Sequence, residues 1–210
     1  MDARTSGRPE EQPGEQSGEQ PSECSHVLAV ADALFYAHGI QAVGMDRIRD
    51  AAGVSLKRLY RCFPSKAELV EAYLRGRDEW AHERLAAYLA EIGPPRERIL
   101  GIFDWLHTWA QDPDFNGCAF LNAYGELASG SEGVVRAVRD HKSALRGQLL
   151  HLTEATGAAD PRALAAQLAL LLDGALSGAH VSGSAAPALD ARAVAATLLD
   201  ASGAAHPAPA

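Results

Sequence analysis

Apolar residues recur along this chain at the three- and four-residue spacing of helix faces. Between Gly44 and Lys66, Met45, Ile48 and Ala52 share one face of a short helix. Gly53 follows, where a left-handed backbone is cheap only for glycine. Val54 adds an apolar side chain at the turn, and Ser55 is a good N-cap for a second helix that buries Leu59 and Phe63. A preceding helix runs from Ser25 to His38, with Val27, Val30, Ala31, Leu34 and Phe35 as its stripe, and Gly39 ends it. Ser65 and Glu68 form a capping box that restarts the chain as a long helix through Leu69, Tyr73, Trp80 and Leu85 towards Ile92. Gly93-Pro94-Pro95 breaks it. Further helices are predicted from Arg96 to about Gln111, Ala119 to Ala128, Glu132 to Ala155, Pro161 to Ala179 and Asp190 to about Ala201. Asp160 caps the fourth of these, with Pro161 at its first position. The fold class is all-α.

The pattern also shows what the second short helix leaves outside. Its exposed face carries Lys57, Arg58 and Arg61, with Tyr60 beside them. A helix-turn-helix whose second helix presents cations at its N-terminal end is built to enter a DNA major groove. The formal net charge of −8 would argue against that partner. Its distribution reverses the argument. Residues 44–77 hold eight Lys/Arg against four acids, a net +4, so the remainder carries −12. A basic module on an acidic body suits a DNA binder whose other face must avoid DNA.

The segments LFYAHG, AAGVS and LYRCFPSKAEL resemble the DNA-binding region of the TetR family of bacterial transcriptional regulators, from Val27 to Leu74. The resemblance implies an N-terminal three-helix helix-turn-helix domain joined to a larger C-terminal helical bundle. The expected divisions are an acidic disordered tail at 1–23, a DNA-binding domain at 24–74, a ligand-binding and dimerising body at 75–203 and a loose tail at 204–210. The implied function is repression from a palindromic operator, relieved by a small molecule. Activation is the alternative within the family. A helical enzyme is the alternative outside it, and no catalytic constellation or phosphate loop supports one, so the chain is expected not to be an enzyme and to need no cofactor.

In this reading Lys57 and Arg58 reach base edges, Leu56 offers apolar contact to a thymine methyl, Tyr60 and Lys66 meet phosphates, and Arg61 does either. Gly44 stands where relatives of the family often have a capping Ser or Thr that touches a phosphate. Arg49 stands where they usually have alanine, so it must snorkel outward or find a partner. Trp105, Trp109, Phe120, Tyr124 and His141 are the expected pocket set, with plain core packing as the alternative. Leu168, Leu172, Leu176, Val194 and Leu198 are the expected homodimer surface, forming a four-helix bundle across a two-fold axis.

Cys24, Cys62 and Cys118 make no CxxC pair and no zinc spacing, and the histidines do not cluster, so free thiols and no metal site are expected. Cys118, at a helix start, is a candidate reactive thiol, with a small buried side chain as the alternative. No apolar run looks long enough to span a bilayer, and the N-terminus lacks a signal-peptide core. A cytoplasmic protein with no membrane partner is the expectation.

Overall fold

The computed structural model describes residues 23–203, all of whose regular elements are helices. The acidic segment expected to be disordered falls, up to residue 22, outside the described residues, as does the tail from 204. In chain order the helices are α1 (Glu23–His38), α2 (Met45–Ala52), α3 (Leu56–Cys62), α4 (Lys66–Ala90), α5 (Pro95–Trp109), α6 (Ala119–Leu127), α7 (Glu132–Ala155), α8 (Pro161–Ser182) and α9 (Ala186–Ala201).

The first three helices pack around a small core with the start of α4. Val27, Ala31 and Phe35 of α1 meet Ile48 of α2, Leu59 of α3 and Leu69, Tyr73 and Leu74 of α4, all buried. Full burial of each such leucine or isoleucine contributes about 1.5–3 kcal/mol. Phe35 and Tyr73 meet edge to face, 5.5 Å between ring centres. Gly53 ends α2 at φ +65°, and the bonds Gly53 N–H to Asp50 C=O and Val54 N–H to Arg49 C=O close a Schellman turn. Ser55 Oγ then accepts the N–H of Arg58, and Ser65 Oγ that of Glu68, so α3 and α4 start as their sequences predict.

In the body, α8 packs on α7 and α9, and α5 packs on α9 and α7. Helix α4 leaves the first domain and runs along α7, α5 and α6. Salt bridges join α5 to α9 (Arg192–Asp104, 2.8 Å) and α7 to α8 (Lys142–Asp173).

Four expectations are corrected. Glu23 opens α1 instead of closing the tail, so the first helix starts two residues early. Helix α9 starts at Ala186, four residues early, with Pro187 in its first turn. Cys24 and Cys62 are not free thiols. They form a disulfide, Cα atoms 5.2 Å apart, between the first turn of α1 and the last residue of α3. Finally, α8 is by length and composition apolar enough to cross a membrane, yet eight of its residues are buried in the body, which makes it a core helix here.

Candidate nucleic-acid interface

Helix α3 is anchored by Leu59 and by the Cys62 disulfide to α1, and its remaining side chains face outward. Leu59 is fully buried, whereas Leu56, Lys57, Arg58, Tyr60 and Arg61 are exposed. Those five are the α3 members of the set expected to meet DNA, and the fold gathers them on one outward face. Gly44 is exposed, extended at φ −83°, and gives α2 no side-chain cap, so only its backbone is on offer to a phosphate. Lys66, in the first turn of α4, lies 6.0 Å from the Phe35 ring, and partial burial lowers its pKa. Its charge therefore sits at the rim of the domain rather than at the tip of a free stem. Arg49 finds partners on the solvent-facing side of α2. It is paired with Asp46 at 2.8 Å and Asp50 at 2.7 Å, which hold it on its own helix and keep its pKa raised.

One acidic group intrudes on this basic face. The Glu23 carboxylate lies 3.2 Å from the Arg61 guanidinium and 3.5 Å from that of Arg58. Sequence spacing gave no sign of it, because 35 residues separate Glu23 from Arg58 and only the packing of α1 on α3 joins them.

A cavity of about 90 Å³ lies in the body, bounded by α4, α5, α7, α8, the start of α6 and the end of α1. Trp105, Trp109, Phe120 and His141 of the expected set line it. Tyr124 does not. It lies on the outer side of α6 with much of its ring exposed. Most of the other lining residues were missed by sequence reasoning. Trp80 packs at 5.4 Å from Trp109 and 6.4 Å from Trp105, completing a three-indole wall. Tyr36, Arg77 and Cys118 also line the space. Cys118 is buried, as its bland alternative had it.

The polar groups of the cavity are held from behind. His141 stacks on Phe120, ring centres 3.7 Å apart, and its Nδ1 lies 2.5 Å from Asp78 Oδ1. Burial lowers the His141 pKa, with the Asp78 bond opposing, which favours the neutral ring. Arg77 is clamped by both oxygens of Asp32, at 2.6 and 2.8 Å, and lies 3.7 Å over the Tyr36 ring. Tyr36 donates its hydroxyl to Gly117 C=O and accepts Asn116 N–H, both at 2.9 Å, and burial raises its pKa. Its ring thus belongs to the cavity and its helix to the first domain.

The expected dimer surface is partly used within one chain. Leu168, Leu172 and Leu176 are buried in the chain's own core, and the last two face the cavity. Side chains already covered by their own body leave little surface for a second copy. Val194 remains about half exposed and Leu198 partly so. They share an outward groove with Leu170, Leu171, Gly174 and Ala191.

The comparisons with known proteins agree with this arrangement. Residues 27–73 match the profile of the bacterial regulatory proteins of the tetR family. Over 82 residues the chain is 34% identical to the HTH-type transcriptional repressor KstR2 of Mycobacterium tuberculosis, a match that spans only 41% of that protein's length. A TetR-family regulator from Streptomyces coelicolor superposes with a TM-score of 0.81 at 28% identity, covering 86% of this chain and 96% of the other. A TetR-type regulator from Streptomyces avermitilis is 34% identical, with a TM-score of 0.74, and the superposition covers 88% of this chain and all of the other. With likeness at that level over both domains, and not only over the helix-turn-helix, the chain belongs to the TetR family of DNA-binding transcriptional regulators.

Proposed function

We propose that this protein is a dimeric repressor that reads a palindromic operator through α3 and leaves it when a small, largely apolar ligand enters the indole-lined cavity. The protein matched over 82 residues is itself named a repressor, which supports the sign. The observation that carries the reading is the position of Tyr36. It is both a wall of the cavity and a residue of α1, the helix against which α2 and α3 pack. A ligand that moves Phe120, Cys118 or Tyr36 therefore acts directly on the support of the reading helix. The Tyr36 hydroxyl is taken by Gly117 and Asn116, and Arg77 and His141 are held by Asp32 and Asp78. Such a ligand finds few free polar partners, so flat apolar compounds suit the space best. Entry requires some widening, since 90 Å³ holds only a small molecule.

Two copies are needed because one helix-turn-helix contacts only a few base pairs. The outward groove of α8 and α9, with Leu170, Val194 and Leu198, is the surface favoured for pairing. The test is a thermal-shift screen of small apolar aromatics, followed by titration of DNA complexes with each hit. Expected are quenching or shift of tryptophan fluorescence and a coupled fall in DNA affinity of about 1–3 kcal/mol. Hits that bind, perturb the indoles and leave DNA affinity unchanged would refute ligand release.

A further inference from the structure

The disulfide and the intruding carboxylate are neighbours in sequence. Cys24 pins the first turn of α1 to Cys62, the last residue of the reading helix, and Glu23 is the residue before it. Two of the DNA-facing cations, Arg58 and Arg61, are the partners of that carboxylate. They are themselves largely exposed, so the contact competes directly with a phosphate. Resting on the reading of α3 as the DNA-contacting helix, we propose that Cys24 and Cys62 form a thiol–disulfide switch. In the oxidised state Glu23 is held over the reading arginines and DNA binding is weakened.

The physical steps are short. The first turn of a helix lacks half of its hydrogen bonds and frays easily. A covalent tie at its second residue suppresses that fraying, so Glu23 stays where the structure has it. An anion held there offsets about one cationic charge on α3 and repels the DNA backbone. Reduction removes the tie, and DNA phosphates then displace Glu23 as the first turn opens. A protein that meets chromosomal DNA works where thiols are kept reduced, and disulfides in that setting are usually transient and sensing.

The oxidant is a low-molecular-weight disulfide. The thiolate of one cysteine attacks one of its sulfurs and releases a thiolate, leaving a mixed disulfide. The second cysteine attacks the protein sulfur of that mixed disulfide and releases the second small thiolate. The two cysteine sulfurs are oxidised, the small disulfide is reduced to two thiols, and those thiols carry away the two protons.

Rigidity alone would act in the opposite direction, since a pre-ordered head should bind DNA more tightly. Glu23 separates the two effects. The experiment compares full-length protein reduced with dithiothreitol and oxidised with oxidised glutathione, with thiols counted by alkylation and mass. DNA affinity is measured on a duplex selected from a random pool by the reduced protein. Oxidation is expected to form the Cys24–Cys62 bond and weaken binding about tenfold, with the salt slope shallower by about one. Cys24→Ser and Cys62→Ser should bind like the reduced protein under both conditions. Glu23→Gln should still form the disulfide yet lose most of the difference. Equal or tighter binding by the oxidised protein, no disulfide, or a response that survives in Cys24→Ser would overturn the switch. Selection of no duplex in either state would instead overturn the DNA-binding reading, and the switch with it.

Discussion

Glu126, on α6, accepts the backbone N–H of Gln41 at 2.7 Å. Its other oxygen accepts the N–H of Ile40 at 3.0 Å, and the Gln41 side chain returns a bond to the Glu126 carbonyl. The body thus grips the loop between α1 and α2, at the entrance to the helix-turn-helix. Gly39 permits the grip, with φ +85° and a position where a Cβ would stand 3.2 Å from the Glu126 carboxylate. At its other end α6 begins with Ala119 and Phe120, which line the cavity. One rigid helix therefore touches both the ligand space and the reading head.

Replacing Glu126 with alanine should weaken the coupling of the two. Loss of charge-assisted bonds to two backbone donors is expected to destabilise the chain by about 1–2 kcal/mol, at a partly exposed site. More tellingly, cavity ligands should bind with nearly wild-type affinity but lower DNA affinity less than in the wild type, with the Tyr36 contact remaining. Parallel titrations with and without DNA check this. Wild-type coupling in the variant would assign transmission to Tyr36 and α4 instead.

On the DNA face, Arg58→Ala should relax sequence preference and cost about 1–3 kcal/mol on the best site, if the side chain reads a base edge. Lys66→Ala should weaken all duplexes alike and reduce the salt slope by about one. Affinity measured on specific and scrambled duplexes across a salt series distinguishes the two roles.

The α8 groove and the α8 core should respond differently to substitution. Val194→Glu or Leu170→Glu adds charge to an already exposed site, so the monomer should fold normally and fail to pair. Leu172→Ala should instead cost about 2–5 kcal/mol of folding stability through the cavity it leaves. Light scattering and thermal melts report the two outcomes separately. A Leu170→Glu, Val194→Glu double variant that stays dimeric would put the interface elsewhere.

His141 predicts a pH dependence. Burial depresses its pKa below the ordinary 6.5, while unfolding restores it, so the unfolded chain binds more protons in the interval between the two values. Its contribution to stability is fully present above 6.5 and is lost as pH falls through the folded value. Melting temperatures should drop on acidification through that window more steeply for wild type than for His141→Gln. The same slope in both would show that other groups dominate.

The helix-turn-helix was readable in the sequence because everything that builds it is local. Gly53, Ser55, Leu59 and the exposed cations lie within nine residues of one another, and backbone rules fix their relation. Trp105 and Trp109 were likewise found one helical turn apart, but Trp80 joins them from another helix, which no spacing predicts. Tyr124 was misjudged because α6 turns it away from Phe120. Helix α8 is apolar around most of its circumference, so periodicity could not say that Leu172 looks inward and Leu170 outward. The Cys24–Cys62 pair spans 38 residues with no motif. Only the packing of α1 on α3 brings those sulfurs, and Glu23, to the reading helix.

The central claim is that α3, carried in two copies, reads DNA. Selection of duplexes from a random-sequence pool by the full-length reduced protein, with sequencing of what is retained, tests it most directly. The predicted result is a palindrome whose half-sites are centred about 34–36 Å apart, or a multiple of that, on one face of the helix. Enrichment should vanish in a variant carrying Lys57→Ala, Arg58→Ala and Arg61→Ala. No enrichment by the native protein, or the same palindrome recovered by the triple variant, would contradict the account.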